Sequence, residues 1–360
     1  MEELKAEAIA LLKQLIAIPS FSKEESGTAD LIANFLEKKG IVPHRQGNNV
    51  WAFLTPYDEQ RPSIWLNSHH DTVKPNTGYT KDPFIASEED GKLFGLGAND
   101  AGGPLVALIA TFCSFIGKDF PFNLVLIASA EEEISGLQGI SSLISILPPA
   151  DLVLVGEPTQ MKLAVAEKGL LVLEGTVIGK AGHAAREEGI NAIYLALSDL
   201  EKVKNFQFKK ISPFLGPTKV SCTIIHAGEQ HNTVPELCRY VLDIRINELY
   251  THEEVLEELN SVLTAELVPR SMRLRSSKLP EGHLLQKVAN RMGLEMYGSP
   301  TLSDQALIPY PSAKIGPGDS ARSHSADEFI FTQEVTSGIS TYISILENYA
   351  SLYLQTKHPQ

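Results

Sequence analysis

The sequence predicts an α/β fold in which a second, α+β domain is inserted into a domain built on a mostly parallel sheet. The chain has 360 residues, which exceeds the size at which a single hydrophobic core stops growing. Strand-like apolar runs alternate with helix-like segments near both ends of the chain, and this alternation is typical of parallel sheets. The middle has the order β-α-β-β-α-β, which is typical of a ferredoxin-like unit.

The first part of the chain is predicted to form two helices. Residues 1–20 are acidic and have leucines at helical spacing, a pattern typical of an amphipathic helix. This segment lacks the basic stretch of a secretory signal, so we expect a cytoplasmic protein. Ser22 and Glu25 have the spacing of a capping box, which predicts a second helix that begins there and stops at Gly40.

The remaining elements of the first domain lie on both sides of the insertion. Two of its predicted strands are almost entirely apolar, as expected for central strands covered on both faces. The predicted strands span residues 49–54, 63–67, 123–128, 152–156 and 313–316. The predicted helices span residues 101–115, 136–146, 283–292 and 334–354.

The inserted domain is predicted to span residues 169–276, which leaves residues 1–168 and 277–360 for the first domain. Its six elements supply the β-α-β-β-α-β order. They are predicted at residues 169–179, 191–203, 218–227, 239–247, 253–267 and 271–276.

Composition excludes several classes of function. The formal net charge of −13 argues against a nucleic-acid partner, because nucleic acid selects basic surfaces. No apolar run approaches the roughly 18 residues that a membrane helix needs, so we expect no membrane partner. Cys113, Cys222 and Cys238 show no paired spacing, and we interpret them as inert buried thiols.

Polar motifs follow directly after the predicted strands. The segment SIWLNSHHDTV carries His69 and Asp71 two residues apart, a spacing that puts both on one face of a strand. The segment LFGLGANDAGG resembles a dinucleotide-binding loop but has Asp100 where the third glycine is needed, so that interpretation fails. A glycine-rich turn instead gives the carboxylate of Asp100 room to contact two cations.

Three further motifs supply more candidate ligands. The segment LIASAEEEISG has three adjacent glutamates, and like charges at the end of an apolar strand cost free energy unless a cation neutralises them. The segments LVLVGEPT and IGPGDSARSH add Glu157 and His324. Singly, each motif has an ordinary explanation as a surface turn, a helix cap or a solvated helix start. Together they suit two zinc-type ions that share one carboxylate.

Six motifs, taken in order, resemble the zinc-dependent exopeptidase and deacylase family that includes acetylornithine deacetylase, succinyl-diaminopimelate desuccinylase and glutamate carboxypeptidase. The motifs are NSHHDTV, GLGANDAGG, AEEEISG, GEPT, GKAGHAA and GPGDSARSH. The resemblance covers the chain from about residue 10 to residue 350. It implies a metallohydrolase domain, two divalent ions (zinc, with cobalt as the alternative) and an inserted lid that also forms a homodimer contact.

The resemblance also assigns roles to single residues. The metal ligands that it implies are His69, Asp100, Glu133, Glu157 and His324, with Asp100 shared between the two ions. Glu132 is implied as the general base and Asp71 as the residue that orients His69. A shift by one residue stays open, because Glu131, Glu132 and Glu133 are all glutamates.

Four more residues are candidates for the substrate site. The resemblance implies that His183, from the partner subunit, stabilises the oxyanion, and that Asn232 and Arg245 hold the substrate carboxylate. A structural ion pair is the alternative for Arg245. Asp304 follows Ser303 in GSPTLSDQAL and is a candidate to meet a cationic substrate side chain, with a helix cap as the alternative.

The resemblance implies a small N-acyl amino acid as the substrate. Within the family, the motifs look most like those of deacetylases that act on acetylornithine in arginine biosynthesis. An acetyl or succinyl group, and ornithine or citrulline, stay open. The alternatives are a dipeptidase or aminoacylase with the same metal chemistry, and a catalytically silent relative. The presence of every implied ligand and of the base favours an enzyme.

Overall fold

The structure is a computed structural model that describes residues 1–357, and the chain divides into two compact units. Unit 1 contains Met1–Val165, Lys278–Tyr297 and the chain from Ser303 onward, and unit 2 contains Ala166–Ser277 and Gly298–Leu302. The short return segment belongs to unit 2 because Gly298 lies so close to the backbone of Phe214 that a Cβ there would clash.

The described residues form seven α-helices and twenty strands, several of them very short. The helices are α1 (Glu2–Ile16), α2 (Ser26–Lys38), α3 (Gly103–Cys113), α4 (Ala192–Asn205), α5 (His252–Asn260), α6 (Leu284–Met292) and α7 (Thr332–Lys357). The strands are β1 (His44–Gln46), β2 (Asn49–Phe53), β3 (Ser63–His69), β4 (Ser87–Glu89), β5 (Lys92–Phe94), β6 (Asn123–Ser129), β7 (Leu152–Val155), β8 (Leu163–Glu167), β9 (Gly169–Ile178), β10 (Gly182–His183), β11 (Ile211–Ser212), β12 (Gly216–Pro217), β13 (Lys219–Ala227), β14 (Thr233–Val234), β15 (Leu237–Ile246), β16 (Glu266–Pro269), β17 (Ser277–Lys278), β18 (Met296–Ser299), β19 (Ser312–Lys314) and β20 (Phe329–Phe331).

The main sheet has a parallel centre and antiparallel flanks. Its strand order is β1-β2-β6-β3-β7-β19-β8-β17, with β18 paired to β8. The pairs β6–β3, β3–β7 and β7–β19 are parallel, whereas β2 and β8 run antiparallel to their neighbours β6 and β19. The prediction of a mostly parallel sheet is therefore confirmed for the central strands.

The central strands are buried on both faces, which explains their continuous apolar runs. Successive residues of β3 belong to different hydrophobic clusters: Ile64 and Leu66 pack with α3 and α7 in one, and Trp65 packs in the other. Every residue of α3 is buried. The carboxyl ends of the central strands are therefore held on a packed support.

Unit 2 contains a four-stranded antiparallel sheet with the order β13-β15-β9-β16. The helices α4 and α5 contribute Ala192, Ala196, Val255 and Leu259 to the hydrophobic cluster that covers this sheet. Along the sequence, the elements follow the order strand, helix, two strands, helix, strand. This order and the strand order within the sheet are those of a ferredoxin-like unit, so that prediction is confirmed.

Two predicted elements in the interior of the units are wrong. Residues 136–146 do not form a helix but only a short 3₁₀ turn at Ile140–Ser142, because Asn49 donates a hydrogen bond from its side chain to the carbonyl of Gln138. In unit 2, α5 ends at Asn260, and the last strand is Glu266–Pro269 rather than residues 271–276.

The predicted capping box is also wrong. The helix α2 begins at Ser26, and its N-cap residue makes no side-chain cap bond. The hydroxyl of Ser22 instead donates to Asp71 at 2.7 Å, and the carboxylate of Glu25 accepts the backbone N–H groups of Lys23 and Glu131. Both side chains therefore form contacts with distant loops.

Two expectations from composition concern membrane-spanning helices and the burial of the cysteines. None of the helices within residues 1–357 combines the length and the hydropathy that crossing a bilayer requires. Cys113 and Cys238 are buried free thiols, as predicted, but Cys222 is exposed on the edge strand β13.

Candidate metal centre

Parallel strands bring the candidate ligands to one edge of the main sheet. His69 is the last residue of β3 and lies opposite Ser129, the last residue of β6. Asn67 of β3 lies opposite Val155 of β7, so Glu157, two residues further on, is level with His69. Ligands in open α/β sheets bind at this carboxyl edge of the strands.

One carboxylate lies between two imidazoles. Nε2 of His69 is 3.3 Å from Oδ1 of Asp100, and Nε2 of His324 is 3.7 Å from Oδ2 of the same carboxylate. Each oxygen of Asp100 thus faces a different histidine. This is the arrangement in which one carboxylate bridges two cations.

Three glutamates complete two groups of possible ligands. Nε2 of His69 is 3.8 Å from a carboxylate oxygen of Glu132 and 3.8 Å from one of Glu157. Nε2 of His324 is 3.0 Å from Glu133. The groups His69–Glu132–Glu157 and His69–Asp100–Glu133 each have ligand atoms within 4.8 Å of one another. Imidazole and carboxylate donors of this kind suit zinc and similar divalent ions.

The three consecutive glutamates do not point the same way. Glu131 has a left-handed backbone with φ 55°, and its carboxylate accepts the backbone N–H of Gln138 at 3.2 Å. A Cβ at Gly136 would clash with this carboxylate, so the loop needs glycine there. Glu132 and Glu133, and not Glu131, therefore lie in the cluster.

Asp71 joins the histidine strand to the glutamate loop. Its carboxylate accepts the backbone N–H groups of Glu132 at 3.0 Å and Glu133 at 3.1 Å, and also the hydroxyl of Ser22. The carbonyl of Asp71 lies 3.0 Å from Nδ1 of His69, closer than its carboxylate at 3.4 Å. Because a carbonyl only accepts, Nδ1 carries the proton, and Nε2 of the neutral ring is free to bind a metal.

Crowded carboxylates govern the electrostatics. Burial raises the pKa of Glu132 well above its usual value, and Glu157, Asp304 and Glu133 raise it further. Burial would lower the pKa of His69, but Glu132, Asp100 and Asp71 raise it well above its usual value. The bond to Glu133 raises the pKa of His324 to about 9. The site thus favours bound positive charge, which is what a divalent cation supplies.

Glu328 is a buried acid that the sequence analysis missed. Its carboxylate accepts the backbone N–H groups of Gly97, Asn99 and Asp100 at 2.8–3.2 Å. Burial and the charge of Asp100 raise its pKa to about 8. No spacing rule could have found it, because its partners are backbone groups more than two hundred residues away.

Asp304 lies beneath the cluster rather than in open space. It is 3% exposed, and its carboxylate accepts hydrogen bonds from Asn67 at 2.9 Å and Ser129 at 2.5 Å. Burial raises its pKa to about 6. This position does not favour the predicted direct contact with a substrate side chain.

The candidate substrate residues of unit 2 form two separate groups. His183 lies opposite Thr233 in the β10–β14 ladder, and the backbone N–H of Ala184 donates to the carbonyl of Asn232. Arg245 lies eight residues along β15 from Leu237, or about 25 Å at the usual rise of a strand. It forms a two-point ion pair with Asp243. The structure therefore brings His183 and Asn232 together, but not Arg245.

The sequence matches the description "Peptidase family M20/M25/M40" over residues 65–348. The chain belongs to this family. The chain is 29% identical to an acetylornithine deacetylase of Edwardsiella ictaluri over 359 residues, which cover 90% of the chain and 93% of that protein. It is 28% identical to a succinyl-diaminopimelate desuccinylase of Wolbachia pipientis over 295 residues, or 76% of the chain and 73% of that protein.

Solved structures of M20 peptidases share the fold. Aminopeptidase PepT from Bacillus cereus superimposes with a TM-score of 0.78 at 18% identity and covers 96% of the chain and 99% of its own. A dinuclear metal-binding M20 peptidase from Bacillus subtilis gives a TM-score of 0.75 at 16% identity, covering 96% and 98%. The chain is therefore a hydrolase of amide bonds, and the Bacillus subtilis neighbour is described as binding a dinuclear metal.

Replacing Asp71 with asparagine is expected to weaken metal binding. The two oxygens of Asp71 accept from different N–H groups, one from Glu132 and one from Glu133. In asparagine an NH₂ group, which cannot accept, replaces one of these oxygens, so one N–H loses its partner and the loop shifts. Loss of an outer-shell contact of this kind costs about 10–100-fold in metal affinity. The measurement is competition between the protein and a chelator for Zn²⁺. Asp82→Asn is the control, since Asp82 accepts only within its own turn; equal affinities for both variants would contradict the prediction.

Proposed function

We propose that this M20 hydrolase removes the acyl group from the nitrogen of an N-acyl amino acid, with N-acetyl-L-ornithine as its substrate in arginine biosynthesis. The observation that carries the reaction class is the Asp100 carboxylate between His69 and His324. The choice of substrate rests on relatives named acetylornithine deacetylase, which match along about nine-tenths of the chain. The three free cysteines agree with a reducing compartment such as the cytoplasm.

The donor set suits two divalent ions, with zinc first and cobalt as the alternative. In this proposal His69, Glu157 and Asp100 would hold one ion, and Glu133, His324 and Asp100 would hold the other. When bound, the ions supply Lewis acidity that lowers the pKa of a water molecule and polarises the substrate carbonyl. Asp71 keeps the Nε2 atom of His69 unprotonated through the Nδ1 contact to its carbonyl.

Glu132 is the proposed general base. Its carboxylate lies beside His69 and Glu157 but is not needed as a ligand in this scheme. It accepts the proton of the attacking water and returns that proton to the leaving nitrogen. A raised pKa suits this role, because the acid must hold the proton between the two steps.

His183 is the proposed stabiliser of the oxyanion. The backbone N–H of Ala185 donates to its Nδ1 atom at 3.1 Å, so the neutral ring carries its proton on Nε2. That N–H is exposed with the rest of the side chain and can donate to a developing negative charge. Asn232, directly before the adjoining strand β14, is proposed to contact the substrate carboxylate.

A homodimer through unit 2 is part of the proposal. The strand β13 lies at the edge of its sheet, where unpaired backbone groups can pair with a second chain. Exposed apolar side chains on and near α4 and β13 continue this edge, and such patches mark interfaces. They are Ile190, Tyr194, Leu197, Ile224 and Ile225. The separation of Asn232 from Arg245 also favours a substrate site to which two chains contribute.

Substrate rates test the proposed activity. We expect N-acetylornithine to be hydrolysed with a higher kcat/KM than N-acetylcitrulline, N-succinylornithine or a panel of dipeptides, in protein loaded with Zn²⁺ or Co²⁺. The released amine is measured for each compound. Turnover of dipeptides alone would show a peptidase and refute the deacylase proposal. Fewer than one ion per chain, with no turnover after addition of either metal, would favour a silent relative.

Replacing Glu132 with glutamine is expected to reduce kcat by about 10²–10⁴-fold, because an amide cannot accept the proton of the attacking water. Metal content is expected to stay unchanged. Glu131→Gln is the matched control, since that carboxylate faces Gln138 instead. If Glu131→Gln causes the large loss and Glu132→Gln does not, the role of the base moves by one residue.

A charge on the edge strand of unit 2 is expected to separate the dimer. Ile225→Asp puts a carboxylate in the exposed apolar patch, where a second chain would have to bury it. Light scattering is expected to change from the mass of two chains to that of one, with a fall in kcat because His183 acts in the partner's site. Ile85→Asp, at an exposed isoleucine of unit 1, is the control. A wild-type monomer with full activity would contradict the dimer.

A further inference from the structure

Two loops of unit 1 carry the candidate ligands Asp100 and His324, and two buried side chains fasten these loops to each other. One loop is residues 97–100, before α3, and the other is residues 318–328, before β20. Asn99 reaches from the first loop into the second, and Glu328 reaches from the second into the first. We call this reciprocal pair the clasp.

The Glu328 arm fixes the backbone of the bridging ligand. Oε1 accepts the N–H groups of Asn99 at 2.8 Å and Asp100 at 2.9 Å, and Oε2 accepts that of Gly97 at 3.2 Å. The residue is 1% exposed. A buried acceptor with three backbone N–H partners holds them firmly, because breaking such a bond leaves a buried N–H group without a partner. The turn that presents Asp100 is therefore held from the loop of His324.

The Asn99 arm fixes the start of the other loop. Its Nδ2 donates to the carbonyl of Asp319 at 3.0 Å and to the hydroxyl of Ser323 at 3.3 Å, and its Oδ1 accepts the N–H of Asp319 at 3.0 Å. Gly318, with φ +94°, packs on this amide so closely that a Cβ there would clash with Oδ1. His324 follows directly after the residues that Asn99 holds.

On the other side of the metal centre, His69 is held by a strand rather than by contacts between loops. His69 ends the buried strand β3, and its side chain is 1% exposed. Its position follows from the register of β3 with β6 and β7. His324 lies on a loop, its own backbone is left-handed with φ 57°, and its side chain is 54% exposed. His324 therefore depends on contacts between loops, whereas His69 depends on strand pairing, and Asp100 is common to both sides.

We propose that Asn99 and Glu328 are positioning residues that set the affinity of the cation on the His324 side, by fixing the separation between His324 and Asp100. This inference rests on the proposed ligand set but not on the identity of the substrate. Neither side chain binds the ion in this scheme. Each acts through the backbone of the loop that carries a ligand.

The test is metal binding by the metal-stripped full chain, titrated with Co²⁺ and Zn²⁺ and with a competing chelator. Wild type is expected to bind two ions. Glu328→Ala is expected to weaken the binding of the ion on the His324 side by about 10–100-fold, as outer-shell changes do. The other ion is expected to be weakened less, because it shares Asp100 but keeps His69 on its strand. The loss of affinity in Glu328→Gln is expected to be smaller than in Glu328→Ala. The side-chain carbonyl oxygen of glutamine still accepts from Asn99 and Asp100, while its NH₂ group faces the N–H of Gly97. This conservative variant keeps the test usable if alanine prevents folding.

Asp327→Asn is the matched control. Asp327 adjoins Glu328, and its carboxylate also accepts backbone N–H groups, but those of Thr80 and Lys81. Both affinities are expected to stay at the wild-type level in this variant. Equal weakening in Asp327→Asn and Glu328→Ala would mean general loop damage and would overturn the inference.

A double variant identifies the ion that is affected. His324→Ala removes a ligand of one ion directly. Adding Glu328→Ala to it is expected to weaken the remaining ion by less than Glu328→Ala alone weakens the ion on the His324 side. An equal loss of affinity for both ions, or wild-type affinities in Glu328→Ala alone, would overturn the inference. Fewer than one ion per wild-type chain would refute the ligand set and the clasp together. Two ions without deacylase activity would refute only the proposed substrate, and the clasp would stand.

Discussion

Negative charge concentrated at one edge of the main sheet is the constraint on which the site depends. The carboxylates of Asp100, Glu132, Glu133 and Glu157 converge on two histidines, and burying such a group without neutralisation costs several kcal/mol. This charge raises the pKa values of His69 and His324, and burial together with this charge raises the pKa of Glu132. Protons and divalent cations therefore compete for the same donors, which couples metal affinity to pH.

Backbone N–H groups, rather than cationic side chains, hold two of the acids that shape the site. Asp71 accepts from Glu132 and Glu133, and Glu328 accepts from the turn that ends in Asp100. A lysine or arginine in these places would orient the carboxylates but would also neutralise the charge that attracts cations. An N–H group carries no net charge, so it fixes geometry and leaves the field of the cluster intact.

Local sequence patterns predicted the parts of the structure that local physics controls. Continuous apolar runs identified the central strands. The candidate ligands of four motifs lie at the carboxyl edge that these strands share. The predictions failed where distant groups decided the outcome. The side chain of Asn49 donates to the carbonyl of Gln138, within the segment that was predicted to be a helix. The hydroxyl of Ser22 donates to Asp71 instead of forming the predicted cap.

The same limit applies within the candidate site. The motif AEEEISG supplies three chemically identical acids, and the left-handed backbone at Glu131 turns the first of them away. Asn99 and Glu328 belong to no spacing pattern, because their partners are backbone atoms of a loop distant in sequence. Ligands are recognisable from residue type and spacing, whereas the residues that position them depend on the fold.

The two sides of the centre differ in the structure that supports them. Displacing His69 requires moving the end of a buried strand with neighbours on both sides, a change that disturbs close packing over many residues. Displacing His324 requires only that one exposed loop shift relative to another. If the clasp sets the affinity on the His324 side, substitutions in residues 318–328 change that cation position more than the other, which keeps one ligand on the sheet.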